Sequence, residues 1–177
     1  WRDQTPAGFI FSAKFPRIVT HVKMLKNCEE EVQTFIERMK QLQNKLGPSL
    51  LQFPPKFGIK NIPLLKDFLP SLPKGYRYAL EVRNKGLLSE KLYSLLKENR
   101  VALALLDSPT IPPVEEVTTD FVYIRWEGDR KKLDGTLGNV EVDRRKDIQK
   151  WASKIRQLLD LPVEVFGYFS KFYSGHP

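Results

Sequence analysis

The sequence predicts an α/β protein in which helices cover a parallel β-sheet. Three observations lead to this fold class. Six short segments are rich in β-branched, aromatic and aliphatic residues, as strands are. Amphipathic segments with apolar residues at helical spacing separate most of them. The segment 101–107 is apolar on both faces until its final aspartate, as expected of a strand covered on both sides. Strands that alternate with helices in this way form parallel sheets.

The first half of the chain contains three predicted strands and the two helices between them. In order, they are a strand at 9–15, a helix at 29–46, a strand at 49–53, a helix around 64–69 and a strand at 76–84. Apolar residues recurring every three or four positions predict the first helix, and Gly47-Pro48 is expected to end it. Pro16 ends the first strand, and Pro54-Pro55 ends the second.

The second half continues the alternation with one exception. Its predicted elements are a helix at 89–99, a strand at 101–107, a strand at 121–126, a helix at 143–159 and a strand at 163–169. Ser89 and Asp143 are the expected N-caps of the two helices. A proline-rich loop, 108–119, takes the place of a helix between two strands. A polar loop, 127–141, contains Gly128, Gly135 and Gly138.

The number of strands bears on the choice between two sheet architectures. Six strands are two fewer than a closed (β/α) barrel needs. A doubly wound open sheet needs no additional strand, but the glycine-rich phosphate turn that usually follows its first strand is absent here. That absence counts modestly against the open sheet, and strand number alone leaves both architectures open.

Composition indicates a single globular domain, 1–177. The chain is 41% hydrophobic, and no apolar run approaches the ~20 residues of a membrane span, so we expect no membrane contact. Cys28 is the one cysteine and cannot form an internal disulfide, which favours a cytoplasmic location. The sequence does not predict the oligomeric state.

The net charge of +8 arises from 29 lysines and arginines against 21 acidic residues. Residues 13–26 carry five basic or histidine side chains and no acid, and a second concentration is formed by 130–132 and 144–146. Such patches suit a phosphate-rich partner, including nucleic acid. An ordinary solvated surface is the alternative for both.

A polar residue stands at or just after the carboxyl end of nearly every predicted strand. These residues are Lys14, Gln52, Glu81 with Arg83, Asp107, Arg125 followed by Glu127, and Lys171. Their positions in the strands predict that they point away from the helices. In barrels the carboxyl ends of the strands converge on one mouth that carries the chemistry. The sequence therefore predicts one functional mouth built from these side chains.

Glu81 is the first candidate for a general base or a metal ligand. The guanidinium of Arg83, two residues away, would keep its carboxylate ionised. The alternative is a structural ion pair that closes the mouth. Arg83 and Arg125 could together clamp a phosphate or carboxylate, or could simply be the ion-pair partners of Glu81 and Asp107.

Asp107 is the candidate partner of Glu81 in acid and base roles, and His21 is a candidate base, phosphate contact or loop anchor. The candidate substrate-binding residues are Lys14, Gln52, Arg83, Arg125, Lys171 and Tyr173, the last by stacking. The sequence does not determine whether a cofactor is needed. A divalent cation on Glu81 and Asp107 is the lesser alternative, because His21 and His176 lack metal-binding spacing.

Five blocks of the sequence, taken in order, resemble one known family. They are residues 9–14 with 20–21, 47–55, 81–83, 107–109 and 123–128. Gln-Phe-Pro-Pro at 52–55 and Glu-Val-Arg at 81–83 are together fairly specific. The pattern resembles that of the YecE-like family, domain of unknown function 72, over essentially the whole chain. The resemblance implies a TIM barrel, with two strands before the part similar to Trp1 and a final helix after the part similar to Gly175.

The chain departs from the family pattern at five positions. Asn84 and Leu87 stand where the family usually has histidine and tryptophan, and Glu127 stands where it usually has histidine. Ser170 and Lys171 replace a pair of asparagines after the last strand. The activity that the family shares is therefore an open question for this chain.

The leading functional prediction is an enzyme of hydrolase or lyase type acting on a small anionic substrate, for instance a phosphorylated one. The first alternative is a nucleic-acid-binding or repair-nuclease-like protein, whose basic patches would contact backbone phosphates. The second alternative is a binding module without turnover, which the departures from the family pattern favour.

Overall fold

The computed structural model describes residues 1–134 and 138–175; Gly135 and His176 lie outside the described residues. The chain divides into two compact units, Trp1–Val101 and a second that begins at Ala102. Each unit contains three parallel strands in chain order. The predicted α/β class with parallel strands is therefore confirmed.

The first unit alternates strands and helices. Its elements are β1 (Phe11–Lys14), α1 (Glu29–Lys40), β2 (Leu46–Gln52), α2 (Ile62–Ser71), β3 (Tyr78–Glu81) and α3 (Glu90–Glu98). Strand β2 lies between β1 and β3, with Lys14 opposite Leu50 and Gln52 opposite Glu81. The carboxyl ends of the three strands therefore meet at the same edge of their sheet.

Aromatic packing shows which face of this sheet the helices cover. The ring of Phe15, just after β1, lies 4.3 Å from that of Phe35 on α1 and 6.1 Å from that of Tyr78 on β3. Side chains alternate along a strand, so Lys14 and Glu81 point to the opposite face.

Helix α1 ends earlier than its sequence pattern predicts. It ends at Lys40 rather than at 46, and Gln43 has a left-handed backbone with φ of +52°. Gly47 and Pro48 do not end the helix but lie inside β2. A Cβ on Gly47 would lie 2.5 Å from the Ile10 side chain, so the close approach of the β1 segment requires glycine there.

The second unit contains β4 (Val101–Asp107, from Ala102 onward), β5 (Phe121–Trp126), α4 (Arg145–Leu159) and β6 (Glu164–Phe169). Strand β5 pairs with both neighbours, and residues 108–120 between β4 and β5 contain no helix. The bounds of β4 and β5 agree with the prediction residue for residue.

The two faces of this second sheet carry different side chains. Helix α4 packs on the face whose buried core contains Leu105, Val122, Ile124, Trp126 and Leu158. The opposite face carries aromatic pairs, Tyr123 with Tyr168 and Phe121 with Phe166. Arg125 belongs to that opposite face because it alternates with Trp126 along β5.

One of the two predicted helix N-caps is observed, and the other lies one residue away from its predicted position. The Ser89 hydroxyl accepts a hydrogen bond of 3.3 Å from the Leu92 amide, which confirms the predicted N-cap of α3. The N-cap position of α4 is Arg144 rather than Asp143, although the Asp143 carboxylate accepts from the Arg145 amide at 2.9 Å. In the described part of the chain, no helix is long and apolar enough to cross a membrane.

Candidate functional site

A hydrogen-bonded row of polar side chains joins the carboxyl ends of β1, β2 and β3. Lys14 Nζ donates to Gln52 Oε1 at 3.2 Å, and Gln52 Nε2 donates to Glu81 Oε1 at 2.7 Å. Arg83 Nε donates to the same oxygen of Glu81. We call Lys14, Gln52, Glu81 and Arg83 the strand-end ladder. The structure thus brings together four of the residues that the sequence selected.

Burial increases along the ladder from Lys14 to Glu81. Lys14 is exposed and Gln52 is half-buried, whereas Glu81 has 0% of its surface exposed. The Arg83 side chain is 22% exposed. A fully buried carboxylate needs an opposite charge and hydrogen-bond donors to offset its loss of hydration, and Arg83 and Gln52 supply them. Glu81 therefore holds the guanidinium and amide groups in place.

His21 lies in a π-helical turn directly after β1 and is surrounded by positive charge. Its Nδ1 is hydrogen-bonded to the Thr20 hydroxyl at 2.8 Å. Burial lowers the pKa of His21 below its ordinary value of 6.5, and three nearby cations lower it further: Arg17, Lys14 and Lys56. The imidazole is therefore neutral near pH 7. We call Lys14, Arg17, His21 and Lys56 the basic cluster.

The basic cluster and the ladder share Lys14, so they form one continuous polar region in the first unit. The exposed part is cationic and the buried part is an ion pair. Exposed ammonium and guanidinium groups beside a neutral imidazole suit a phosphate or carboxylate group. The imidazole can accept a proton from a molecule bound there.

In the second unit, Arg125 pairs with Glu127 rather than with Asp107, the partner that the sequence offered as an alternative to an anion clamp. Both side chains lie on the sheet face opposite α4, and the Glu127 carboxylate is buried. Arg130 Nη2 approaches the second carboxylate oxygen of Glu127 at 3.8 Å. Glu127, which the sequence marked as a strand-end residue and as a departure from the family pattern, is therefore an ion-pair partner of Arg125.

Asp107 lies on the helix-covered face of its sheet. Its Oδ2 accepts hydrogen bonds from Trp151 Nε1 of α4 at 2.7 Å and from the Tyr173 hydroxyl at 2.8 Å. The expectation that Asp107 points away from the helices is wrong, because Asp107 is opposite Trp126 while Leu106 is opposite Arg125. Asp107 instead joins β4, α4 and the turn after β6.

The last two predicted binding residues lie in that turn. Tyr173 is buried, and burial together with the hydrogen bond to Asp107 raises the pKa of its hydroxyl above the ordinary value. Lys171 is exposed, with Nζ 5.0 Å from the centre of the Phe172 ring. The structure does not place Tyr173 on an open surface where it could stack on a ligand.

Acidic neighbours neutralise much of the second basic concentration. The pairs are Arg144 with Asp147 at 3.2 Å, Arg145 with Asp143 at 2.7 Å, Lys132 with Asp129 at 3.8 Å, and Arg130 with Glu127. The hydrogen bonds from Arg145 lower the pKa of Asp143 to about 2. Positive charge without adjacent acids is therefore concentrated in the basic cluster rather than here.

The electrostatics add two residues that were not among the candidate site residues, although Arg17 belongs to the basic segment 13–26 that the sequence singled out. Arg17 and Lys56 both act electrostatically on His21, and they come from the segments that follow β1 and β2. The sequence feature that could have identified them is a basic residue shortly after a strand end, and this feature is too common to select a site residue alone. Among the described residues, no group of three or more His, Cys, Asp or Glu side chains is placed to hold a metal ion.

Comparison with curated proteins and solved structures supplies relatives. The UPF0759 protein YecE of Escherichia coli, in strains K12 and O157:H7, is 37% identical over 113 residues. That match covers 61% of this chain but only 42% of the length of those relatives. This chain therefore matches less than half of each curated protein.

Two solved structures of DUF72 family proteins have similar folds. One, from Thermotoga maritima, has a TM-score of 0.79 and 26% identity, covering 97% of this chain and 70% of its own. The other, from Enterococcus faecalis, has a TM-score of 0.76 and 24% identity, covering 99% and 72%. The family model described as "Protein of unknown function DUF72" matches residues 1–176. The chain belongs to this family.

Proposed function

We propose that this chain is part of a TIM-barrel enzyme of hydrolase or lyase type that acts on a small anionic substrate. The substrate would bind at the carboxyl ends of β1, β2 and β3. The observation that carries the proposal is the strand-end ladder, in which a buried glutamate fixes an arginine and a glutamine beside an exposed lysine. In parallel α/β folds, this edge of the sheet is where ligands bind.

The basic cluster would bind the anionic group of the substrate. Lys14 and Lys56 are exposed and flexible enough to adapt to a phosphate or carboxylate. Arg83 would add a guanidinium whose position Glu81 fixes. Because its side chain is prepositioned, less conformational entropy is lost when the anion binds.

His21 would transfer the proton in this reaction. Burial, and to a lesser extent the neighbouring cations, keeps its imidazole neutral, so it can accept a proton near pH 7. An anion bound among those cations would then stabilise the imidazolium that forms. Glu81 is buried and already receives two hydrogen bonds, so we assign it a positioning role rather than that of the base.

Calorimetric titration with inorganic phosphate and with phenyl phosphate tests the binding half of this proposal. We expect the Lys14→Gln substitution to weaken binding by about tenfold, because a charge-assisted contact is lost. Lys146→Gln removes the same charge from an exposed position on α4 and should change the affinity by less than about twofold. Equal effects of the two substitutions would show that the anion binds diffusely.

Turnover of a panel of phosphorylated and carboxylated small molecules tests the enzymatic half. We expect His21→Gln to reduce turnover by about 10²-fold or more while leaving the fold intact, as loss of a general base does. Product formation can be followed by ³¹P and ¹H NMR. Binding without turnover of any compound in the panel would favour a binding module instead.

A further inference from the structure

A groove in the second unit lies between the end of β4, the loop that follows it and helix α4. Its volume is about 590 Å³, which is within the range of small-molecule sites. Asp107 lies in its wall, and Ile111, Pro113 and the Trp151 indole supply its apolar surface. The groove occupies the region where the β4–β5 connection runs as a loop instead of a helix.

Asp107 is a half-buried carboxylate that has only neutral donors. Both of its hydrogen bonds, from Trp151 and Tyr173, reach the same oxygen, Oδ2. Within the described part of the chain, no lysine, arginine or histidine nitrogen lies within 4 Å of this carboxylate. A carboxylate that has lost part of its hydration without gaining a counter-ion favours a cationic partner.

The other charged groups of the groove do not supply that partner. The lining contains three carboxylates, Asp107, Glu115 and Asp147, and two ammonium groups, Lys150 and Lys154. Asp147 is already paired with Arg144 at 3.2 Å. Lys154 is already engaged, since its Nζ donates to the Val114 carbonyl at 3.2 Å and pairs with Glu115 at 3.4 Å. Lys154 Nζ also lies 5.4 Å from the centre of the Trp151 ring, so this indole already attracts an ammonium group.

We propose that this groove binds a small ligand that carries a protonated amine. The ammonium group pairs with Asp107, and the apolar part of the ligand packs against Ile111, Pro113 and Trp151. The site is separate from the basic cluster of the first unit and has the opposite charge preference. It assigns Asp107 to ligand binding rather than to the acid–base role that the sequence suggested.

NMR titration with n-butylamine, using n-butanol as a neutral probe of similar size, tests the proposal. The reporter is the Trp151 indole N–H, which donates to Asp107; its resonance is assigned from the Trp151→Phe spectrum. We expect a saturable shift of this resonance with n-butylamine and binding at least about tenfold weaker with n-butanol. Equal affinity for the two probes, or no saturable shift with n-butylamine, would overturn the proposal.

Two substitutions complete the test. Asp107→Asn keeps an oxygen that can accept from Trp151 and Tyr173 but removes the charge, and should weaken n-butylamine binding by about tenfold. Asp160→Asn removes a charge from the exposed end of α4, outside the groove, and should change binding by less than about twofold. Unchanged binding in Asp107→Asn would also overturn the proposal. Should that variant not fold, the comparison of the two probes on the unsubstituted protein remains decisive.

Discussion

The Glu81 carboxylate is fully buried and depends on Arg83 and Gln52 for its stability. Removing a carboxylate from water costs several kcal/mol, and an adjacent guanidinium offsets this cost only while both partners are present. Arg83 is partly exposed, so water would compensate a portion of its charge if Glu81 were lost. Loss of the arginine should therefore destabilise the protein more than loss of the glutamate.

This asymmetry is measurable in a double-mutant cycle. We expect Glu81→Gln to lower the free energy of unfolding by about 2 kcal/mol and Arg83→Gln to lower it by more, about 3 kcal/mol, because the second change removes the guanidinium beside a buried carboxylate. The double substitution should cost at least about 1 kcal/mol less than the sum. Urea unfolding measures all three values. Strict additivity would show that the two side chains do not interact energetically.

His21 makes stability depend on pH in a direction that follows from its surroundings. Burial and the neighbouring cations lower its pKa in the folded state below the ordinary 6.5. The unfolded chain therefore binds a proton more readily, and the free energy of unfolding falls as the pH decreases through about 6.5. Below the folded-state pKa, both states are protonated and this dependence ends.

The His21→Asn variant isolates this contribution from that of the carboxylates. Between about pH 7 and pH 5.5, the unsubstituted protein should lose more of its free energy of unfolding than the variant does. Urea unfolding in phosphate-free buffer at several pH values gives both curves. Parallel curves would mean that His21 has the same proton affinity in the folded and unfolded states.

Among the structural elements, the loop after β5 and the turn after β6 depend on one glycine. Gly128 has φ of +67°, and a Cβ there would overlap the backbone carbonyl of Phe172. The conformation and the close approach both exclude a side chain. Gly138 has the same φ of +67° but no heavy atom within 4 Å of such a Cβ. A side chain at Gly138 would therefore introduce backbone strain alone, whereas one at Gly128 would introduce both strain and steric overlap.

Alanine substitution at these two positions measures the cost of strain alone and the cost of strain with steric overlap. Gly138→Ala should cost about 1 kcal/mol, the strain of a left-handed alanine. Gly128→Ala carries the same strain plus the clash with the Phe172 carbonyl and should cost about 3 kcal/mol or more. Thermal or urea unfolding of the two variants supplies the comparison. Equal costs would show that the turn after β6 moves freely away from Gly128.

Most elements could be predicted from the sequence. The end of helix α1 was predicted wrongly, and the reason lies in tertiary structure. Strands β4 and β5 and the cap at Ser89 follow from apolar runs and a hydroxyl at the helix start. The end of α1 does not, because the left-handed backbone at Gln43 breaks an apolar repeat that continues along the sequence. Gly47 has the composition of a helix stop, yet its role is to let the β1 segment approach β2.

The candidate site was predictable in the first unit and only partly in the second. Strand alternation places Lys14, Gln52 and Glu81 on one face, and their hydrogen bonds follow from the register. Asp107 ends a strand that is apolar on both faces, so the sequence gives no sign of the face to which its last residue belongs. The contacts with Trp151 and Tyr173, which lie far along the chain, decide that orientation.

At the scale of the whole molecule, the net charge is +8, and acids compensate the basic residues unevenly along the chain. Nearby acids pair with the basic residues around α4, whereas Arg17, Lys14 and Lys56 add to the effect of burial in depressing the pKa of His21. The site formed by the ladder and the basic cluster is contributed entirely by the first unit. An anion should therefore bind at this site in preference to the remaining basic surface.

The pKa of His21 with and without phosphate tests this account most directly. NMR titration of the imidazole, assigned with the His21→Asn variant, should give a pKa below 6.5 in sodium chloride. In phosphate at equal ionic strength the pKa should rise, because a bound anion stabilises the imidazolium, and Lys14→Gln should reduce this rise. An identical pKa in the two salts would contradict the account, because no anion would then occupy the basic cluster.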